Sequence, residues 1–217
     1  MDFDILHEEL KKKGYQDKAL DQAFNFILHR IDEDVLSRHF SQNKILYLNY
    51  KKITEFPKWI TKLKKLKRLF LSFNQLTELP ESIGNLTELE KLALWANNLT
   101  ELPESIGNLR KLVSLDLSVN RLTELPKSIE NLTELEKLAL GGNELTELPK
   151  SIHKLKKLVN LDLFNNKLTE LPEWIADRPL LTHLNLSNNN FSDEYKEYIR
   201  KFITDKHPTC KIKLLDF

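Results

Sequence analysis

Leucine recurs along the middle of this chain with two superimposed spacings. Within a short stretch it alternates, as at Leu92 and Leu94, which predicts a brief strand with both side chains on one face. Over a longer range the whole pattern LxxLxLxxNxLTELPxxIxxLxx returns every 23 residues, starting at Leu66, Leu89, Leu112, Leu135 and Leu158. A degenerate opening copy covers Asn43 to Lys65, with Lys51 where the asparagine should stand. A seventh copy begins at Leu181 and loses the pattern after Phe191. Self-similarity at such a period marks a stacked array in which no unit buries its apolar face alone.

Each conserved letter of the unit has a physical task. Strands of successive units stack in parallel at about 4.8 Å, so their leucines merge into one core. The asparagine column (Asn74, Asn97, Asn120, Asn143, Asn166 and Asn189) falls where each strand ends and the chain turns inward. A buried amide there can donate to, and accept from, backbone groups that would otherwise lack partners. The Leu-Pro pair delays any helix, because proline lacks an amide hydrogen and restricts the residue before it. Ile83 and Leu86 and their equivalents then return to the core from the opposite side. The string LTELPESIGN occurs verbatim at Leu76 and again at Leu99. Its verbatim reuse reads as frame, with Thr and Glu on an outer surface that repeats without distinction.

On these motifs the sequence resembles the leucine-rich repeat family, and the LTELPxSI variant is similar to the 23-residue class of bacterial intracellular, plant Ras-group and Roco repeats. The resemblance implies an α/β fold, a curved leucine-rich repeat solenoid (horseshoe) whose concave parallel sheet binds protein partners. It implies no cofactor and no reaction.

Both ends depart from the repeat. Residues 1–42 place Leu6, Leu10, Leu20, Ala23, Phe24 and Ile27 at helical spacing, which predicts a helical N-terminal cap over the first unit. Seven repeats are expected over 43–192 and a C-terminal cap over 193–217. In that cap, SDEYKEYIRKFITDK reads as a helix with Ser192 or Asp193 as N-cap and Tyr195, Ile199 and Phe202 on one side. KIKLLDF, with Ile212 and Leu214 alternating, reads as a closing edge strand. Trp59 and Trp174 replace the usual serine and read as extra packing near the ends.

Charge refines the picture locally. Lys plus Arg number 33 against 32 Asp plus Glu, a formal net charge of +1, which supplies no global attraction to nucleic acid or an anionic membrane. The unit-ending residues Lys65, Glu88, Lys111, Glu134 and Lys157 alternate in sign, so neighbours in the stack, Lys65 and Glu88 included, should pair. The column Glu55, Glu78, Glu101, Glu124, Glu147 and Glu170 stacks like charges, and Lys127 and Lys150 nearby favour a solvated face. The basic run Lys62, Lys64, Lys65, Lys67 and Arg68 falls on solvent positions of the repeat.

Catalytic constellations do not assemble. Cys210, the sole cysteine, lies near His207 on a polar tail without a third orienting group. His7 lacks the second histidine of a zinc helix, and there is neither a GxSxG elbow nor a phosphate loop. No metal or cofactor is expected. No apolar run approaches a membrane span and no signal-peptide pattern opens the chain, so a cytoplasmic protein, or one exported without a recognisable signal, is expected. The sequons at Asn85, Asn98, Asn131 and Asn190 read as chance.

Function is therefore expected where the unit is free to vary, at the positions flanking the strand leucines. Aromatics gather there at one end: Tyr47, Tyr50, Phe70, Phe73 and Trp95, with Phe164 apart, Arg68 and Lys91 as a border, and Asp116 on the neighbouring strand. An exposed apolar patch with a polar rim marks an interaction site. The alternatives are that the cap folds over Tyr47 and Tyr50, or that neighbouring rings only support one another. The expected partner is a protein, not nucleic acid or membrane, with the chain itself monomeric. A recognition fragment of an effector or enzyme whose catalytic domain is absent, and a self-associating structural protein, stand as the other readings.

Overall fold

The structure, a computed structural model, describes residues 41–172, 175, 180–206 and 211–213. The expected N-terminal helices, Trp174, His7, His207, Cys210 and Leu214 lie outside the described residues.

Seven three-residue strands follow the repeat: β1 (Ile45–Tyr47), β2 (Arg68–Phe70), β3 (Lys91–Ala93), β4 (Ser114–Asp116), β5 (Lys137–Ala139), β6 (Asn160–Asp162) and β7 (His183–Asn185). An eighth, β8 (Lys211–Lys213), extends a single parallel sheet in the order β1 to β8. From β1 to β7 the register repeats the sequence period, Ile45 opposite Arg68, Arg68 opposite Lys91, and onward to Asn160 opposite His183. Parallel neighbours need a crossover. Here it is a loop and one short 3-10 turn: Lys58–Lys62, Glu81–Asn85, Glu104–Asn108, Lys127–Asn131 and Lys150–Lys154. A proline, at 57, 80, 103, 126 or 149, stands immediately before each turn, with φ between −61° and −71°. That is the value its ring imposes, so the residue that blocks an early helix also sets the entry into the turn.

The leucines form one continuous core, from Leu46 and Leu48 through Leu69, Leu92, Leu115, Leu138 and Leu161 to Leu184 and Leu186. Ile83, Ile106, Ile129 and Ile152 close it from the turn side, and Trp59 is fully buried in the first unit.

The asparagines join the units. Asn120 Oδ1 accepts from the Leu99 amide of the preceding unit (3.0 Å), while Nδ2 donates to Leu94 O (3.0 Å) and to Leu117 O of its own unit (2.9 Å). Asn97, Asn143, Asn166 and Asn189 repeat this set of three bonds. At the first junction Asn74 Oδ1 accepts from both Lys51 N (3.1 Å) and Ile53 N (3.0 Å), so the unit that lacks its own asparagine is served by the next one.

One feature has no strong signature in the sequence. The residue before each asparagine, and Tyr50 before Lys51 in the first unit, adopts left-handed backbone: Tyr50, Phe73, Ala96, Val119, Asn165 and Asn188 at φ 52–60°, and Gly142 at 70°. This turns the chain inward while the backbone ladder continues, because each amide still reaches the next unit. Phe73 N donates to Trp95 O (2.8 Å) and Val119 N to Gly141 O (2.7 Å). Glycine and asparagine suit such a conformation, whereas a β-branched valine is strained in it.

The verbatim string proves to be more than repeated outer surface. Glu81 Oε2 accepts from Ser105 N (3.2 Å) and Glu104 Oε2 from Ser128 N (3.1 Å), tying each 3-10 turn to the next. A Cβ on Gly84 would meet Ser105 O at 2.6 Å, so the ESIGN turn packs against its successor too closely for a side chain. Where lysine replaces the glutamate at Lys127, the contact changes to Ser151 Oγ donating to Lys127 O (3.3 Å).

Beyond β7, helix α1 (Asp193–Lys206) begins at Ser192, whose Oγ accepts from Tyr195 N (3.2 Å). Ile199 is buried, and the Tyr195 hydroxyl both accepts from Leu171 N (2.7 Å) and donates to Leu171 O (3.1 Å), anchoring the helix to the sixth unit.

The stabilities of three variants check this account. Asn120→Ala leaves the buried Leu99 amide without a partner and removes one of two donors from each of Leu94 O and Leu117 O, which Asn97 and Asn143 still serve, so urea unfolding should show a loss of about 1–3 kcal/mol. Thr123→Ala, on the exposed surface, should stay within about 0.5 kcal/mol of the parent. Val119→Asn should raise stability by about 1 kcal/mol, by relieving left-handed strain at a β-branched residue.

Candidate interaction face

The sheet register turns the aromatic residues into two short ladders. Tyr47 and Phe70 are partners across β1 and β2, and their rings stack at 4.8 Å with planes 9° apart. Tyr50 and Phe73, in the left-handed positions just beyond those strands, stack at 4.3 Å and 11°, and Trp95 meets Phe73 edge-on at 4.4 Å. Lys91 Nζ sits 5.4 Å from the centre of the Phe70 ring, a cation–π contact. Arg68 lies opposite Lys91 in the register. Seven of the nine expected residues thus occupy one region.

Exposure is uneven across it. Tyr47 (50 %), Tyr50 (63 %) and Trp95 (41 %) remain open to solvent. Phe70 and Phe73 are half-buried, because neighbouring side chains flank them: Tyr47 and Lys91 for Phe70, Tyr50 and Trp95 for Phe73. Mutual support along the sheet and exposure therefore coexist.

Asp116 and Phe164 are not brought into the cluster. Asp116 Oδ1 accepts from Ser118 N (3.0 Å) and braces the end of β4, a bond Asp162 repeats with Phe164 N (3.0 Å). Phe164 is exposed at the sixth unit, with Gly141 and Gly142 in the fifth between it and Val119. Val119, itself exposed beyond Trp95, was not among the expected residues; its place just before Asn120, equivalent to Phe73 before Asn74, was the available signal.

Charges on the flanks are largely paired between units. Lys111 bonds Glu88 (2.6 Å) and Lys157 bonds Glu134 (2.6 Å), as the alternating column predicts. Lys65 departs from it, donating to Gln42 Oε1 (2.8 Å) instead of pairing with Glu88. Three further pairs follow the stack: Lys67 with Glu90, Lys154 with Glu130 (2.8 Å) and Lys167 with Glu144 (2.8 Å). Hydrogen bonding and charge from Lys67 hold the Glu90 carboxyl below the usual glutamate range, and Lys167 does the same to Glu144. Glu124 and Glu147 share an open groove of 670 Å³ with Lys127 and Lys150 on the turn side, so the glutamate column is interleaved with cations there. Among the described residues no group of three or more His, Cys, Asp or Glu is placed to hold a metal ion, and no helix is long and apolar enough to cross a membrane.

The model of a leucine-rich repeat region matches residues 44–142, and a second leucine-rich repeat model matches 133–191. The chain belongs to the leucine-rich repeat family. A leucine-rich repeat protein of Leptospira interrogans is 41 % identical over 83 % of this chain and 45 % of its own, with a TM-score of 0.74. The ectodomain of the Arabidopsis thaliana receptor kinase GASSHO1/SCHENGEN3, solved in complex with CASPARIAN STRIP INTEGRITY FACTOR 2, is 32 % identical over 68 % of this chain and 18 % of its own, with a TM-score of 0.64. The functional domain of InlJ from Listeria monocytogenes, at 24 % identity, 83 % and 38 % coverage and a TM-score of 0.66, shares the fold. The leucine-rich repeat chain described here thus spans less than half the length of each of these three. No curated protein matches it. Leucine-rich repeat domains commonly mediate protein–protein interaction, and the family is generally non-enzymatic.

The Glu90 and Glu144 pairs give a pH prediction. A carboxyl whose folded pKa is depressed stabilises the fold above its unfolded pKa, and that contribution is lost as pH falls through the folded value. Urea midpoints should therefore drop as pH falls below the usual glutamate range, and a Glu90→Gln/Glu144→Gln variant should show a shallower drop.

Proposed function

We propose that this chain is a protein-interaction module whose partner docks on the concave strand face, over Tyr47, Tyr50, Phe70, Phe73 and Trp95, with Arg68 and Lys91 at the border. One observation carries the reading. A frame that buries nearly every other large apolar side chain leaves a contiguous set of aromatic rings half-exposed on three adjacent units. Stability does not require rings at these positions, since units four and five build the same strands with Asp116, Ser118, Ala139 and Gly141. Large, rigid, half-buried aromatics beside an arginine are the residue types that dominate binding energy at interfaces. The receptor ectodomain similar to this chain, solved with its bound factor, supports a protein or peptide as the class of partner. Asp116 and Phe164 extend the same face beyond the centre of the site.

The test replaces Phe70, Phe73 and Trp95 with alanine together, confirms the fold by circular dichroism and thermal melting, and compares partner capture with the parent chain in quantitative pull-downs. Capture of the specific partner should fall by about tenfold or more, because hot-spot truncations cost about 2 kcal/mol each. Undiminished capture by a folded triple variant would place the interface elsewhere.

A further inference from the structure

The aromatic ladders face the solvent in an unusual way, and that decides what they can receive. Tyr47 stacks on Phe70 at 4.8 Å, and Tyr50 on Phe73 at 4.3 Å, separations close to the spacing between neighbouring strands. The ring normals of these two stacks therefore run along the sheet from strand to strand, and each stack uses one face of each of its rings. Trp95 abuts Phe73, and Lys91 covers Phe70. What the ladders offer outward is ring edges, which carry the positive end of the aromatic quadrupole.

Cations predominate among the charged groups alongside. Arg68, Lys91 and Lys137 stand at the first position of β2, β3 and β5 and line a shallow depression of 420 Å³ with Phe70. None of the three makes an ion pair among the described residues. Of the two carboxylates lining that depression, Glu90 is already held by Lys67, leaving Glu136 against three unpaired cations. Asp116, the acidic residue nearest on the strand face, is bound to the Ser118 amide. The chain as a whole is almost neutral at +1, so this cationic, edge-on aromatic surface is local.

Resting on the docking site proposed above, we infer that its partner is an extended acidic peptide segment, with aromatic or branched aliphatic side chains on the ladders and Asp or Glu carboxylates against Arg68 and Lys91. Carboxylates satisfy both the cations and the positive ring edges, whereas a basic segment would meet repulsion from each. Single-stranded nucleic acid, the other anionic candidate, gains much of its affinity by stacking bases on open ring faces. Here the rings at the centre of the ladders, Phe70 and Phe73, have neighbours on both sides, Tyr47 and Lys91 for the first and Tyr50 and Trp95 for the second.

The test pans short random peptides displayed on phage against the full chain, then measures the affinity of enriched sequences as end-blocked synthetic peptides. Enriched peptides should combine Asp or Glu with aromatic or branched aliphatic residues. Their affinity should fall about tenfold on Arg68→Glu/Lys91→Glu and about tenfold on Phe73→Ala/Trp95→Ala, and exchanging their acids for lysine should abolish it. Melting curves control for folding, and Arg68→Gln/Lys91→Gln replaces the charge reversal if that variant unfolds. Enrichment of basic or uncharged peptides, no enrichment at all, or tighter binding of an oligouridylate probe than of the best peptide overturns the acidic-peptide inference. So does binding that is lost on the aromatic variant yet unmoved by the charge variant, an outcome that leaves the docking site standing. Affinity unmoved by both variants overturns the docking site itself.

Discussion

Every junction between units passes through one buried asparagine. Strands of three residues have too little ladder to hold their own register, and the crossovers are mostly loop. The asparagine amide supplies the missing constraint: one acceptor and two donors reach three backbone groups across two consecutive units, beneath the leucine core. Slip a unit, and several buried backbone groups lose their partners at once, which is why the register equals the sequence period from β1 to β7. The left-handed residue before the asparagine serves the same junction, because the chain must turn inward at that point to present the amide.

With the junctions held in this way, the strand face carries little of the stability and is free to vary. Alanine, glycine, serine and aspartate occupy it in the middle units with no change of strand geometry. The aromatic end is therefore an addition to a frame that does not need it. Those rings are arranged by the frame nonetheless, since the strand spacing matches the distance at which aromatic rings stack. The flanks and turn side carry the inter-unit ion pairs, exposed and individually weak, and the Glu81 and Glu104 contacts that link successive 3-10 turns.

Several particulars of the site escaped sequence reading for identifiable reasons. The sequence left open whether Phe70 and Phe73 are exposed or supported by neighbouring rings, because strand alternation describes the two faces of a sheet but not how much lateral cover the adjacent strands give. That Asp116 also accepts from the amide two residues on, a local closure Asp162 repeats, was not read from the sequence. Lys65 read as the partner of Glu88 because stacking brings them near, yet lysine is long enough to choose, and Gln42 is within reach. Glu81 and Glu104 read as repeating surface since their acceptor role depends on how closely one turn approaches the next.

What the sequence by itself determined is the frame: the unit length, the strand positions, the asparagine column, the prolines that open each turn and the leucines of the core. These follow from local chemistry repeated at a fixed interval, so one unit read correctly explains the next. Tertiary structure alone decided which other exposed groups meet across units: which rings stack, which lysines outside the alternating column take a glutamate, and which aspartate folds back on its own strand. Those outcomes depend on side-chain reach and on distances of a few ångströms between neighbouring turns, quantities that periodicity does not carry.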